Sequence, residues 1–179
     1  TMYDDPVEDL YKPCLARSTK YVRGVAYFRS SVFRLMTDDL VKFCLRGGKM
    51  TILTSTDIDP EDHKAALEGF RISDWYRTLE EMLDDQVMGS HTRLLCAMVA
   101  TGHLSIKVAV VPRGIYHDKV GYFQDSEEPS QVVAFHGSGN ESYKALRGNV
   151  ESYSVSPIWN DSWKDYGAKW KESLDRDIA

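Results

Sequence analysis

The sequence predicts an α/β fold in which helices cover both faces of a mixed central sheet. In the first half of the chain, helical patterns alternate with two strand-like runs, which is typical of a βαβ crossover between parallel strands. The second half contains strand-like segments with short connections, as neighbouring strands of one sheet do. With 179 residues, of which 42% are hydrophobic, the chain can form a single domain with a sizeable core.

Two strands are predicted in the first half, at residues 20–28 and 49–54. The first is rich in β-branched and aromatic side chains, and the second follows Gly47 and Gly48, which end the preceding helix. The helices of this half are predicted at residues 7–18, at residues 32–45, and from residue 59 to about residue 101, with breaks at Gly69 and Gly89.

The second half is predicted to supply the rest of the sheet and one last helix. Its strands are expected at residues 104–111, 116–123, 131–136 and 150–155. The last helix, residues 159–175, carries aromatic residues three or four positions apart, which is typical of a stripe that packs on the core. These residues are Trp159, Trp163, Tyr166 and Trp170.

The bulk composition indicates a protein of a reducing cytoplasm. The longest apolar run, Leu94 to Ala100, is far shorter than the roughly 20 residues that span a bilayer, so no membrane insertion is expected. The chain does not open with a basic segment followed by an apolar one, so no signal peptide is evident. Cys14, Cys44 and Cys96 are widely spaced, and we interpret them as buried, reduced thiols.

The charge of the chain is acidic, with 22 basic and 27 acidic residues and a net charge of -5. An acidic domain lacks the overall field that attracts polyanions. Nucleic-acid binding would therefore need a local basic patch, a groove formed by a dimer, or another domain of the parent protein. Because the chain begins with Thr1 and its last predicted helix reaches the end, we expect a single domain, residues 1–179, excised from a longer protein.

Two polar motifs on neighbouring predicted strands carry the chemistry. His117 and Lys119 are two residues apart on one strand, so their side chains share a face. The next strand ends in a glycine-rich turn that presents Ser138 and Asn140. If the strands pair, these four side chains meet, and Glu151 on the following strand can reach the same point. The His-x-Lys pair alone is equally typical of an ordinary half-exposed strand, so the prediction depends on both motifs together.

The segments HDKVGYFQD and VVAFHGSGNES resemble the HxK (HKD motif) and GSxN signature of the phospholipase D superfamily. They have the form found in phospholipase D-like nuclease domains attached to DEAD/DEAH-box helicases and restriction-type proteins. The upstream segments RGVAYFRSS and GGKMTILTS are similar to early parts of those domains. The resemblance covers residues 7–155 in order, and residues 116–142 are diagnostic. It implies a phospholipase D-like α-β-α sandwich.

The resemblance also implies a metal-independent hydrolase that needs no cofactor. His117 would attack the phosphorus and form a phosphohistidine, while Lys119 and Asn140 hold the phosphoryl oxygens and Ser138 supports them. Family enzymes use two opposed HxK motifs, and this chain has one. We therefore expect a homodimer in which one His117 attacks and the other protonates the leaving group.

The acidic member of the signature departs from the family pattern. Many members have the acid seven positions after the histidine, where this chain has Gln124, and Asp125 follows one position later. A shift of one residue turns a strand side chain to the opposite face, which counts against a direct role for Asp125. In nucleases of the family, a glutamate eleven residues after the GSxN asparagine contacts the histidine, and Glu151 has this spacing. We therefore favour Glu151 for orienting the imidazole.

Residues outside the signature are candidates for substrate binding. Tyr27, Arg29 and Ser30 are predicted to line a groove, although a buried tyrosine and a solvated arginine would explain the pattern equally well. Arg113, just before the HxK strand, is predicted to contact backbone phosphates. The other histidines are scattered, and we assign them surface or packing roles instead of metal ligation.

Three functions follow from these observations. The leading hypothesis is a DNA nuclease domain, linked to a helicase domain in the parent chain. A lipid-directed phosphodiesterase is the second, and the lack of a basic amphipathic helix of the interfacial kind counts against it. The third is a non-catalytic module that uses the fold for DNA binding or dimerisation. The sequence leaves all three open, because fold and motif do not determine the substrate.

Overall fold

The computed structural model describes residues 5–72 and 91–179. Its sheet has six strands, which are β1 (Ser18–Val25), β2 (Lys49–Thr54), β3 (Leu104–Val108), β4 (Val120–Asp125), β5 (Val132–Gly137) and β6 (Tyr153–Pro157). Their order is β3-β2-β1-β4-β5-β6. The three strands from β3 to β1 are parallel, whereas β4 joins β1 in antiparallel order and β5 and β6 continue antiparallel. The predicted mixed sheet and its parallel crossover are confirmed.

The helices of the described residues are α1 (Lys12–Arg17), α2 (Thr37–Leu45), α3 (Pro60–Ile72), α4 (His91–Ala100), α5 (Tyr143–Arg147) and α6 (Lys164–Ile178). A π-helical turn at Val7–Tyr11 precedes α1, and a 3-10 turn at Ser30–Leu35 precedes α2. The predicted helices before and after β1 are confirmed in position. Within residues 5–72 and 91–179, none of the helices is long and apolar enough to cross a bilayer.

The long helical region predicted after β2 is confirmed at α3 and α4. Residues 73–90, with the predicted break at Gly89, lie outside the described residues. The break predicted at Gly69 is wrong, because this glycine lies inside α3. A side chain at Gly69 would collide with the carbonyl oxygen of Cys96 on α4, so the glycine permits close helix packing and does not end the helix.

Alternation along the strands divides the core into two layers. On one face of the sheet, Tyr21 of β1 and Phe123 of β4 belong to a core that includes residues of α1, α2 and α4. On the other face, Val22 and Tyr122 pack with Leu174 of α6. Helices therefore cover both faces, and the predicted α-β-α sandwich is confirmed.

The strand predicted at residues 116–123 begins only at Val120. Its partner β5 ends at Gly137, whose N–H donates to the carbonyl oxygen of Lys119 at 3.1 Å. The N–H of Lys119 donates to Asp118 Oδ1 at 2.8 Å, so this N–H takes no part in the hydrogen-bond ladder between β4 and β5. His117 and Lys119 consequently precede the strand instead of lying on it, and they face the end of β5.

The prediction that the aromatic residues of the last helix form a core stripe holds for Trp170, which packs against the core. It is wrong for the other three. These side chains lie largely in solvent, with exposures of 54, 54 and 57% for Trp159, Trp163 and Tyr166. α6 approaches the sheet instead through Gly167 and Leu174, both buried. The N–H of Gly167 donates to Ser156 Oγ of β6 at 3.0 Å, and a side chain at this glycine would collide with Ser156.

Candidate active site

His117 and Lys119 meet at the edge of the sheet where β5 ends. Lys119 Nζ lies 3.3 Å from His117 Nδ1 and 3.2 Å from the His117 carbonyl oxygen. The imidazole is exposed, whereas Lys119 keeps only 9% of its surface in solvent. Because an ammonium donates and cannot accept, the contact occupies Nδ1 of the ring as an acceptor. The structure thus brings together the two residues that the sequence placed at the centre of the site.

Asn140 follows the glycine turn after β5, and its carboxamide has a fixed orientation. Its Oδ1 accepts a hydrogen bond from the backbone N–H of Tyr27 at 3.1 Å. One residue later, the carbonyl oxygen of Glu141 accepts from the backbone N–H of Arg29 at 2.9 Å. With the carboxamide oxygen taken, the amide group of Asn140 remains as the donor. Tyr27, predicted to line the substrate groove, contributes here through its backbone.

Ser138 and Glu151 bond to each other at the exposed side of the turn. The Ser138 hydroxyl donates to Glu151 and accepts from the backbone N–H of Ser152 at 3.0 Å. The other carboxylate oxygen of Glu151 accepts from Asn149 Nδ2 at 3.0 Å. Ser138 and Asn149 each bond to one carboxylate oxygen of Glu151, and among the described residues no hydrogen bond joins Glu151 to His117. The orienting role of Glu151 therefore stays a prediction.

Asp125 lies at the opposite end of β4 from Lys119, which the rise of a strand places roughly 20 Å away. Its carboxylate accepts from Arg17 Nε at 3.2 Å and from the backbone N–H groups of Glu127 and Glu128 at 2.8 and 3.1 Å. These backbone hydrogen bonds, with the help of Arg17, hold the pKa of Asp125 below its usual value. Asp125 thus stabilises the turn between β4 and β5, in agreement with the argument against a direct role.

The remaining predicted substrate residues are Arg29, Ser30 and Arg113, and their surroundings differ. Arg29 forms ion pairs with Asp57 at 3.4 Å and Asp59 at 3.8 Å. Ser30 is completely buried and bonds to Asp62 of α3 and to His91 of α4. A buried side chain cannot line a substrate groove, so this prediction for Ser30 is wrong. Arg113 is exposed in the loop between β3 and β4.

A buried ion pair beneath the glycine turn was missed by the sequence reasoning. Arg23 and Glu141 are 0% and 1% exposed, and Arg23 Nε lies 3.1 Å from a carboxylate oxygen of Glu141. Arg23 Nη2 also donates to the carbonyl oxygen of Gly139 at 2.7 Å. The hydroxyl groups of Tyr11 and Tyr21 donate to Glu141 at 2.9 and 2.8 Å. An arginine on the apolar face of β1 and an acid next to Asn140 were the available signals.

Gly121, inside the HDKVGYF segment, makes room for this ion pair. Gly121 is the register partner of Arg23 on the neighbouring strand. A Cβ at Gly121 would lie 2.9 Å from Arg23 Cδ and 2.6 Å from the ring of Phe135. The guanidinium carbon of Arg23 lies 4.9 Å from the centroid of that ring, a distance typical of a cation–π contact. The glycine of the motif is therefore explained by packing beneath the site.

Two solved structures share this architecture over nearly the whole chain. NucT from Helicobacter pylori matches with a TM-score of 0.52 and 14% identity, covering 96% of this chain and 87% of its own. Nuc from Salmonella typhimurium, a phospholipase D family member, matches with a TM-score of 0.52 and 17% identity, covering 96% and 86%. The fold is that of the phospholipase D family. No protein-family model and no curated protein matches the chain by sequence.

The electrostatic setting of Lys119 in this phospholipase D-like fold disfavours its charged form. Burial lowers the pKa of Lys119 most, and the positive charge of Arg23 lowers it further. The negative charges of Asp118 and Glu151 act in the opposite direction. A partly buried ammonium with an incomplete set of acceptors is able to bind a phosphoryl oxygen strongly.

A metal ion would need a cluster of ligand side chains in this fold. Across residues 5–72 and 91–179, no group of three or more His, Cys, Asp or Glu side chains is arranged to hold a metal ion. The groups available for chemistry at the edge of the sheet are an imidazole, an ammonium and an amide. They provide a nucleophile and two donors for a negatively charged group.

Proposed function

We propose that this domain is a metal-independent phosphodiesterase that hydrolyses DNA. The observation that carries the proposal is the exposed imidazole of His117, with the ammonium of Lys119 3.3 Å from its Nδ1. A phosphodiester has non-bridging oxygens that can replace the imidazole as acceptors for this ammonium. Binding of the substrate then frees the ring lone pair next to the phosphorus. DNA as substrate rests on the resemblance of the two motifs to helicase-attached nuclease domains.

The reaction proceeds in two displacement steps. His117 attacks the phosphorus, a P–N bond forms, and the bond to the leaving oxygen breaks, which gives a phosphohistidine. Lys119 and the amide of Asn140 donate to the non-bridging oxygens as their charge grows. Water then attacks the phosphohistidine, the P–N bond breaks, and the imidazole is restored. The leaving oxygen needs a proton in the first step, and the attacking water must lose one in the second.

A second copy of the chain supplies that acid and base in our proposal. One imidazole cannot attack the phosphorus and protonate the leaving group on its far side in the same step. In a two-fold symmetric dimer, the second His117 donates the proton in the first step and takes one from water in the second. The exposure of His117 leaves it accessible to such a partner. Light scattering should therefore show a dimer at the concentrations used for activity.

A cleavage assay with two substrates tests the function. Labelled DNA and, separately, phosphatidylcholine are incubated with the domain in EDTA. We expect cleavage of DNA, and acid-labile label on the protein when the reaction is quenched during turnover. If the domain hydrolysed phosphatidylcholine and did not cleave DNA, the substrate would be a lipid instead of DNA. Retention of DNA without cleavage, and without labelled protein, would leave a binding module and contradict the proposed chemistry.

A further inference from the structure

We propose that Arg23 is a positioning residue of this site, holding the turn that carries Asn140 and adding positive charge beneath the phosphoryl position. The inference rests on the proposed phosphodiesterase function and extends it to a residue outside both motifs. Arg23 is fully buried on β1, so it acts through its neighbours and does not touch the substrate.

Arg23 contacts the turn on both sides of Asn140. Its Nη2 donates to the carbonyl oxygen of Gly139 at 2.7 Å, and its Nε lies 3.1 Å from the carboxylate of Glu141. These two residues immediately precede and follow Asn140. Tyr27 fixes the carboxamide oxygen from a third direction. The direction in which Asn140 presents its amide therefore depends on the planar guanidinium, which a flexible ammonium would not reproduce.

Arg23 also lies near Lys119 along the pairing of β1 with β4. Its register partner is Gly121, which follows Lys119 by two residues. Among the described residues, Nη1 of Arg23 has no hydrogen-bond acceptor. Its charge reaches Lys119, because it lowers the pKa of that ammonium.

The charge on Arg23 is only partly neutralised by its partner. Glu141 shares its carboxylate between Arg23 and the hydroxyl groups of Tyr11 and Tyr21. A buried ion pair contributes little net stability, because desolvation offsets the attraction between the charges. A role in catalysis gives a reason for placing a buried arginine under this turn, where growing charge on the phosphoryl oxygens can be stabilised.

Two sets of variants separate the charge of Arg23 from its geometry. Arg23→Lys keeps the positive charge and loses the planar contacts. Arg23→Met combined with Glu141→Gln removes both buried charges, so that neither is left unpaired. The matched control is Arg147→Met with Asp5→Asn, which removes an ion pair between α5 and the segment before α1. Circular dichroism and urea unfolding establish which variants are folded.

The first readout is the pH profile of kcat for DNA cleavage. The alkaline limb reports loss of the Lys119 proton. Among the described residues, the titratable groups around Lys119 are His117, Asp118 and Glu151 besides the buried pair. In the double variant at Arg23 and Glu141, we expect kcat to fall about 100-fold and the limb to move to higher pH. Arg23→Lys should lower kcat and leave the limb in place, and the control pair should change neither. A folded double variant with the wild-type kcat and limb would overturn the proposal.

The second readout does not depend on cleavage. The pKa of Lys119 is measured by NMR through its ¹³Cε signal in the wild type and in both sets of variants. A rise in the double variant, without a change in Arg23→Lys, supports the electrostatic coupling even if the wild type proves inactive on DNA. An unchanged Lys119 titration overturns the coupling. If the double variant does not fold, Arg23→Lys decides the positioning role, and a wild-type kcat in that variant overturns it.

Discussion

Two polar clusters of this molecule each contain a histidine, and they differ in what their hydrogen bonds leave available. The closed cluster consists of Ser30, Asp62 and His91. Ser30 and Asp62 are 0% and 3% exposed, and Asp62 accepts from both the N–H and the hydroxyl of Ser30. His91 Nδ1 completes the cluster at 2.8 Å from the same hydroxyl. Its hydrogen bonds tie the 3-10 turn to α3 and α4.

The open cluster consists of the contacting pair His117 and Lys119, together with Asn140 on the turn after β5, the strand that pairs with β4. Here the imidazole is exposed, the hydrogen bonds of the ammonium within residues 5–72 and 91–179 go to His117, and the amide group of Asn140 is left as a donor. Residue type alone does not distinguish the clusters, because both combine an imidazole with neutral and charged groups. The difference teaches that partnered polar groups hold a fold together, whereas groups with remaining donors and acceptors are suited to bind a ligand.

The largest expected effect comes from His117→Ala in the open cluster. Removal of the nucleophile should lower the rate of DNA cleavage by about 10⁴-fold or more. Because the side chain is exposed, the free energy of unfolding should change by less than about 0.5 kcal/mol. Cleavage rates and urea unfolding on the same preparation measure both. A variant that keeps a tenth of the wild-type rate would exclude His117 as the nucleophile.

Lys119→Met should have the second effect, a loss of about 10²- to 10³-fold in kcat. The wild type should also lose activity at high pH, because the neutral amine cannot stabilise the phosphoryl charge. Since burial and Arg23 lower the pKa of Lys119, this loss should begin below the pH at which an ordinary lysine titrates. The pH profile of kcat measures it, and Lys119→Met should show no such limb. If Lys119→Met still lost activity at high pH, that loss would belong to the titration of another group.

A substitution in the closed cluster should lower the free energy of unfolding and leave the rate of DNA cleavage unchanged. Asp62→Ala leaves the buried N–H of Ser30 without its acceptor, which costs about 1–3 kcal/mol of the free energy of unfolding. Urea unfolding measures this loss, while kcat of the folded fraction should stay at the wild-type value. A fall in kcat as large as that of Lys119→Met would instead connect the closed cluster to catalysis.

The smallest effect is expected for Asp125→Asn at the far end of β4. Hydrogen bonds from backbone N–H groups keep the pKa of Asp125 low, so its ionised form stabilises the native turn. That stabilisation is complete above the ordinary aspartate pKa and is lost as the pH falls through the lowered value. The variant should therefore have a slightly lower Tm at pH 7, and the difference should vanish in acid. A kcat reduced more than about twofold would restore a catalytic role.

Much of the fold could be predicted because it depends on local periodicity. The runs that became β1, β2 and β5 are rich in apolar, β-branched and aromatic residues, and the helices between them follow capping and glycine signals. The ends of the elements were less accurate. The segment from Tyr116 to Lys119 has strand-like residues, but β5 turns away at Gly137 and leaves it without a complete ladder.

The centre of the candidate site could likewise be predicted, because two short motifs meet whenever their strands pair. His117, Lys119 and Asn140 belong to segments joined by the pairing of β4 and β5, a hairpin with a short connection. The partners of Glu151 could not be predicted from spacing. Ser138 and Asn149 are close to it in space and hold both carboxylate oxygens, which no count of residues along the chain reveals.

The sequence by itself determined the α/β architecture, the strand pairing that joins the two motifs, and the candidate nucleophile with its ammonium partner, because these depend on short-range pattern. Only the tertiary structure decided which polar residues are buried. It placed Ser30 inside a closed cluster, Arg23 beneath the glycine turn, and Tyr166 in solvent. Burial depends on which faces of distant elements meet, and that information is spread over the whole chain.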